Sequence, residues 1–360
     1  MKTLLVDLGE RSYPIVFGQR IVDECGRLCN ELKLGERAMV ITNSTIGRHY
    51  FNELENSLTR YGFVVSLLEI PEGEEYKNID TLKSIYDSLV NDCLDRGSFL
   101  VALGGGVIGD ITGFAAATYL RGISYVQVPT SLLAQVDSSV GGKTGINHEK
   151  GKNLIGAFYQ PRMVLIDVST LDTLPEREYI SGLAEVVKYG IIYDSEMFDF
   201  VSNNAEKLLA RDKSCLMSAV NRSCEIKASV VTKDEREAGL RAILNFGHTI
   251  GHAVENLTDY QQYLHGEAVS IGMAQAARIS ATMGYSTMRD SDKIISLLTR
   301  LKLPVELPSF SAESYLAAIL HDKKVKDGRI TFVLNNGIGA YSLVNITDLN
   351  SLLKACGLGG

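Results

Sequence analysis

Between Ala38 and Asp167, short apolar runs alternate with stretches of helical periodicity, and this alternation constrains the fold more than any other feature. Ala38 to Thr42, Phe63 to Ile70, Phe99 to Leu103, Tyr125 to Pro129 and Met163 to Asp167 each read as a short buried strand. Helical segments follow the first two, at 46–60 and at 78–93, where Ile79, Leu82, Ile85, Tyr86 and Leu89 share one face. Strands joined by helical crossovers pair in parallel, and a parallel sheet needs both faces covered. The spacing therefore predicts an α/β domain over residues 1–176. After Leu174-Pro175 the texture changes, with candidate helices at 179–189, 195–209, 213–233, 248–257, 267–283 and 290–301. β-branched runs return only at 329–334, and Pro304 and Pro308 mark a loop, so 177–360 reads as a mostly α-helical domain. At about 150 residues per domain, 360 residues agrees with two domains.

Charge and cysteine usage narrow the function classes. Lys plus Arg is 36 against 43 for Asp plus Glu, a net charge of −7 with no basic stripe, which argues against nucleic acid as a partner. No run approaches the roughly 18 apolar residues of a membrane span. The opening Met1 to Asp7 meets an acid too early for a signal-peptide core. Six cysteines without a C-x-x-C pair read as reduced thiols, and a cytoplasmic location is expected.

The strand at 99–103 runs into Gly104-Gly105-Gly106-Val107-Ile108-Gly109-Asp110, a literal G-x-G-x-x-G that opens a helix. Glycines let backbone N–H groups approach a pyrophosphate, and the helix N-terminus favours its negative charge. On the motif alone a ligand-free tight turn stays open as the lesser reading, and the ribose-binding acid expected about 20 residues later is absent. Asp110 alone reads equally as a first-turn helix acid. Other phosphate-friendly turns are expected on the same sheet edge: Pro71 to Lys77, Pro129 to Ser131, and Asp137 to Gly145. The last lacks P-loop spacing, so a nucleoside-triphosphatase is rejected. Together these turns point to a bound dinucleotide on a Rossmann-like sheet.

Three of the six histidines cluster in the second half: His248, His252 and His265. His248 and His252, four apart, share a helix face. Thr249 stands where a zincin needs Glu, which argues against a metalloprotease. A divalent site of nitrogen ligands and one carboxylate fits better. Its carboxylate could be Glu185, within an otherwise apolar helix, or Glu255 or Glu267, and spacing does not choose among them. Lys143, Lys152, Lys188, Lys227 and Arg241 lie beside Gly, Asn or apolar residues, placements that suit recognition of carboxylate or phosphate oxygens.

Four blocks in order, Gly104 to Asp110, Ser139 to Gly145, Leu183 to Lys188 and Asn245 to His252, together with His265-Gly266-Glu267, resemble the 3-dehydroquinate synthase family. The resemblance runs from about Glu72 to Gly337. It implies an NAD-binding lobe, a helical metal-binding lobe holding zinc or cobalt, and a homodimer. The metal ligands it implies are Glu185, His248 and His265. NAD contacts would come from Glu72-Gly73-Glu74-Glu75-Tyr76-Lys77, Gly106-Val107-Ile108-Gly109-Asp110, Thr130, Ser131, Lys143, Lys152 and Thr170-Leu171-Asp172-Thr173. Substrate contacts would be Arg121 (reaching the neighbouring subunit), Asp137, Lys143, Asn153, Lys188, Lys227, Arg241, Asn245 and His252, with one of Lys323 or Lys324. The implied reaction turns 3-deoxy-D-arabino-heptulosonate 7-phosphate into 3-dehydroquinate and phosphate. Oxidation of the C5 hydroxyl by NAD precedes β-elimination of phosphate, and reduction, ring opening and an intramolecular aldol follow. Lys227 and Arg241, as a carboxylate pair, argue against a sibling cyclase whose substrate lacks that group. A metal-dependent polyol dehydrogenase would release NADH, and a silent NAD sensor would have no use for the metal and basic sets together.

Overall fold

The computed structural model describes residues 1–322 and 330–346 and divides into two compact units. Unit 1 comprises Met1–Leu174 with Lys227–Arg236, and unit 2 the remainder. The elements of unit 1 are β1 (Lys2–Val6), β2 (Tyr13–Gly18), α1 (Cys25–Glu31), β3 (Arg37–Thr42), α2 (Ser44–Arg60), β4 (Val64–Glu69) and α3 (Ile79–Asn91). There follow β5 (Phe99–Gly104), α4 (Gly106–Thr118), β6 (Ser124–Pro129), β7 (Lys143–His148), β8 (Gly151–Phe158) and β9 (Met163–Asp167).

Seven strands form one sheet in the order β1-β2-β9-β6-β5-β3-β4, parallel throughout except for the antiparallel β1–β2 edge. Successive strand residues face opposite sides, and both sides are apolar. Val40, Val101, Val126 and Leu165 pack with Leu54 and Leu58 of α2, whereas Met39, Ile41 and Leu100 pack with Leu82, Ile85 and Leu89 of α3. Full burial of such side chains contributes roughly 1.5–3 kcal/mol each. The chain moves outward from β3 to β4, then returns to place β5 on the other side of β3. That reversal is the switch point where open α/β sheets bind ligands, beyond the carboxyl ends of the strands. Asn43 and Asn78 cap the helices leaving this edge, accepting from the Ile46 and Thr81 amides at 2.9 and 3.0 Å. β7 and β8 form a separate antiparallel hairpin.

Unit 2 is built from α5 (Glu176–Ile192), α6 (Ser195–Asn203), α7 (Ala205–Leu209), α8 (Lys213–Lys233), α9 (His248–Leu257), α10 (His265–Thr282), α11 (Met288–Arg300) and α12 (Ala312–Asp322). A hairpin of β10 (Ile330–Asn335) and β11 (Tyr341–Ile346) completes it. The last part of α8 belongs to unit 1 by its contacts. From Ala268 to Ala277, α10 is buried on every side, against α5, α9, α11 and β10. The α/β first half and helical second half agree with the sequence pattern. The helix expected at 195–209 is instead two helices, ended at Asn204, whose side-chain amide donates to the Phe200 carbonyl at 2.8 Å. Among the described residues, no helix is long and apolar enough to cross a membrane.

Candidate functional site

Four of the nucleotide segments named from sequence leave the carboxyl ends of parallel strands in unit 1, whereas the one ending at Gly145 runs into the separate β7–β8 hairpin. Glu72 to Lys77 follow β4, Gly106 to Asp110 follow β5, Thr130 and Ser131 follow β6, and Thr170 to Thr173 follow β9. The Thr130 amide donates to the Gly104 carbonyl at 3.0 Å, which joins two of these turns. Fully buried Gln135 joins the β6 turn to the β9 turn, since its Nε2 donates to the Pro129 and Asp167 carbonyls and to Thr170 Oγ1 at 3.0–3.2 Å. Tyr50 Oη lies 2.5 Å from Thr173 Oγ1 and donates to the Thr170 carbonyl. Neither Gln135 nor Tyr50 lies in a glycine motif, and no sequence signal marked them.

Lys77 is 3% exposed, and its Nζ donates to Asp110 Oδ2 at 2.6 Å and to Asn153 Oδ1 at 2.5 Å. Burial works against its charge, but the Asp110 and Glu74 carboxylates outweigh that and raise its pKa. Burial likewise raises the Asp110 carboxyl, with the Lys77 ammonium opposing. Asp110 is thus an ion-pair partner inside the helix, not merely a first-turn acid. Asn147 ties the β7–β8 hairpin to the same loop, donating from Nδ2 to Glu74 Oε1 at 2.8 Å. Glu72 Oε2 accepts from the Thr45 hydroxyl, whereas Lys143 and Arg121 are exposed and Lys152 half-buried. Lys227 donates to the Asp137 carbonyl and to Oδ1 at 2.6 and 2.7 Å, both residues lying in unit 1. Arg241 lies in unit 2 and is 2% exposed.

Unit 2 gathers Glu185, His248 and His265, whose ligand atoms all lie within 4.8 Å of one another. Glu185 sits on α5, is fully buried, and pairs with Lys188 one turn on, itself 1% exposed. The i, i+3 ion pair is of the kind common on helix surfaces, but here both partners are inside. Glu185 Oε1 accepts no hydrogen bond and lies 3.6 Å from His248 Nε2 and 4.0 Å from His265 Nε2. A buried carboxylate oxygen facing two imidazole nitrogens and no donor is costly alone, and suits a divalent ion with an open fourth position. His248 Nδ1 lies 3.1 Å from the Phe246 carbonyl, which directs the N–H outward and the Nε2 lone pair toward Glu185. Burial, then the Lys188 ammonium and the neighbouring histidines, hold the His248 pKa well below its usual value, so the neutral ligand form is favoured.

The sequence builds this geometry from close helix contacts. At Gly266 a Cβ would lie 1.9 Å from the Ser181 carbonyl oxygen, so the start of α10 presses directly on α5, one turn before Glu185. At Gly272 a Cβ would lie 1.9 Å from the Gly247 carbonyl oxygen, just before His248. Of the three carboxylates left open by sequence, Glu267 is engaged elsewhere. It pairs with Arg177 at 2.7 Å and accepts from the Leu264 amide at 2.8 Å, closing the N-terminus of α10. Glu255 belongs to a second group with His252 and His265. Asn245 donates to Glu237 Oε1 at 3.2 Å, a partner that sequence reasoning did not single out. Lys323 and Lys324 lie outside the described residues.

Comparison with known proteins gives the family. Residues 67–181 match the N-terminal 3-dehydroquinate synthase family model, and 182–325 the C-terminal one. A 3-dehydroquinate synthase from Geotalea uraniireducens (strain Rf4) is 63% identical over 359 residues, covering 100% of both chains. The structure of 2-epi-5-epi-valiolone synthase from Streptomyces hygroscopicus subsp. jinggangensis 5008, with NAD+ and Zn2+ bound, superposes with a TM-score of 0.89 at 28% identity, covering 97% of each chain. A 2-deoxy-scyllo-inosose synthase complexed with carbaglucose-6-phosphate, NAD+ and Co2+ gives 0.88 at 26% identity, covering 98% of each chain. Full-length similarity of this order, with both family models matched in sequence, places the chain in the 3-dehydroquinate synthase family.

Proposed function

We propose that the chain converts 3-deoxy-D-arabino-heptulosonate 7-phosphate into 3-dehydroquinate and phosphate. This is a phosphate-eliminating carbon–oxygen lyase reaction, a step of the shikimate pathway toward aromatic amino acids. The observation that carries the reading is the group of buried Glu185 with partly exposed His248 and His265, in a chain whose 63%-identical relative bears the synthase name. NAD with zinc or cobalt is the proposed cofactor set, supported by the ligands of the two similar cyclase structures. When bound, NAD supplies transient oxidation of the C5 hydroxyl, and the divalent ion polarises the reacting oxygens.

The chain's residues divide the remaining work. Glu185, His248 and His265 would hold the ion, and His252 is left to the substrate. The α4 N-terminus offers the Gly106, Val107 and Ile108 amides, which have no intrahelical acceptor, to the pyrophosphate. Glu72 to Lys77, Asp110, Thr130, Ser131, Lys152 and Thr170 to Thr173 line the dinucleotide in this reading, making residues 1–176 the NAD-binding domain. Residues 177–360 would be the metal- and substrate-binding domain, with Lys188, Arg241 and Asn245 clamping the acidic substrate. Lys143, Asn153, Asp137 and Lys227 would complete the contacts. Asp137 would hold the Lys227 ammonium in place by the two hydrogen bonds described above. Arg121 would serve a second subunit. A homodimer is supported by β8, which exposes Leu154 (64%), Ile155 (38%) and Phe158 (44%). Reduced cysteines and the acidic balance support a cytoplasmic enzyme.

The test is phosphate release from the heptulosonate phosphate with sub-stoichiometric NAD, followed beside reduced-nicotinamide absorbance. Many turnovers without net NADH support the synthase. One NADH per substrate consumed would replace it with a dehydrogenase.

A further inference from the structure

We infer that Glu255 is a positioning residue that orients the imidazole of His265 toward Glu185 and His248. The inference rests on the proposed metal-holding role of those three residues. His248, His252 and Glu255 occur at i, i+4 and i+7 on α9, one face of the helix. Glu255 is 3% exposed, with Val254 and Ala253 fully buried beside it. A carboxylate in such a place is costly unless a polar group faces it. Its Oε1 lies 3.5 Å from His265 Nδ1, while His265 Nε2 lies 4.0 Å from Glu185 Oε1.

The ring therefore stands between two carboxylates, one at each nitrogen. A neutral imidazole has one N–H and one lone pair. If Nε2 gives its lone pair to an ion beside Glu185, the proton must reside on Nδ1, and Glu255 is the acceptor placed to receive it. His248 carries the same device, with the Phe246 carbonyl at its Nδ1. At 3.5 Å the contact is at the long end of a hydrogen bond, so the carboxylate's charge does much of the orienting. Such outer partners typically contribute 10–100-fold in metal affinity.

Three variants of the metal-free protein test this with Co2+ alone as the probe, read by competition with a chromophoric chelator and by the visible cobalt spectrum. E255M keeps bulk and removes the acceptor. It should weaken cobalt about 10–100-fold and alter the band shape. E255Q keeps an acceptor without charge and should fall between E255M and the unmutated chain. Should E255M fail to fold, an E255Q chain with unchanged affinity and spectrum overturns the inference. So does a folded E255M that binds cobalt as the unmutated chain does. An E185Q chain that keeps cobalt while E255M loses it would make Glu255 a ligand, and also overturns the assignment. If the unmutated chain binds no cobalt, the metal reading itself fails, a result distinct from the others.

Discussion

The two units place chemistry by different physical means. Unit 1 carries its candidate residues on loops beyond strand ends, joined by side-chain hydrogen bonds such as those of Gln135 and Tyr50. Unit 2 carries them on helices pressed together until no Cβ fits. At Gly106 of the nucleotide turn, the nearest atom to a Cβ would be Ser138 Oγ at 3.2 Å, on a side chain that can rotate. At Gly272 it would meet a backbone oxygen at 1.9 Å. A loop-borne site can adjust to a small change, and a site at a helix crossing cannot.

The largest expected effect lies in the helical unit. H265A should weaken Zn2+ or Co2+ binding by more than the roughly 100-fold cost of losing an outer partner, because the proposed site draws on three protein ligands. H252A should retain the metal and lose turnover. Metal analysis of both purified variants checks this, and equal loss in the two would mean the ligand and substrate roles are misassigned. R241A comes next. Truncating a buried charge partner should remove at least about 2 kcal/mol of transition-state stabilisation, read as kcat/KM, and leave NAD affinity nearly unchanged. A collapse of NAD binding with intact substrate affinity would move Arg241 to the other half of the chemistry.

A smaller pair of substitutions addresses the comparison directly. G272A should destabilise by about 1–3 kcal/mol, the range for overpacking, and should weaken metal binding as His248 moves. G106A should leave the melting temperature nearly unchanged and act on NAD affinity alone. Equal destabilisation of the two would show that the nucleotide turn is as tightly packed as the helix crossing.

The contrast also explains what the sequence made legible. Strands buried on both faces leave continuous apolar runs, so β3, β5, β6 and β9 could be read directly, whereas β4, read from sequence as buried, is a sheet edge with Val64 and Leu67 exposed. β1 sits at the sheet edge with Lys2, Thr3, Leu4 and Leu5 at least partly exposed, and leaves no such run. The β7–β8 hairpin is broken by Gly145, Asn147, Gly151 and Gly156, and its apolar Leu154 and Ile155 face outward, so no strand pattern shows. The histidine cluster was visible in its spacing, but the choice of Glu185 over Glu267 was not. It depends on Arg177, ninety positions from Glu267, which engages that carboxylate. The return of 227–236 to unit 1 left no mark either, because it begins inside one uninterrupted helix.

That helix carries the smallest prediction. α8 is divided between the units, with 213–226 in one and 227–233 in the other, and Asp212 immediately precedes it. The Asp212 carboxylate accepts from the Cys215 amide at 2.9 Å and from the Ser214 hydroxyl at 2.8 Å, which together with Cys215's thiol lower its pKa from 3.8 to about 2. The sign follows from linkage: a depressed folded pKa stabilises fully above the unfolded value of 3.8 and ceases to stabilise as pH falls through about 2. D212N retains a capping oxygen without a titrating proton. The difference in unfolding midpoint between the unmutated chain and D212N should therefore be constant above about pH 5 and shrink on acidification toward pH 2. A difference that stays constant throughout would show that the cap does not prefer the ionised form. Because the group is at the surface, the effect should be small beside those of His265 and Arg241, and it should leave activity near neutral pH untouched.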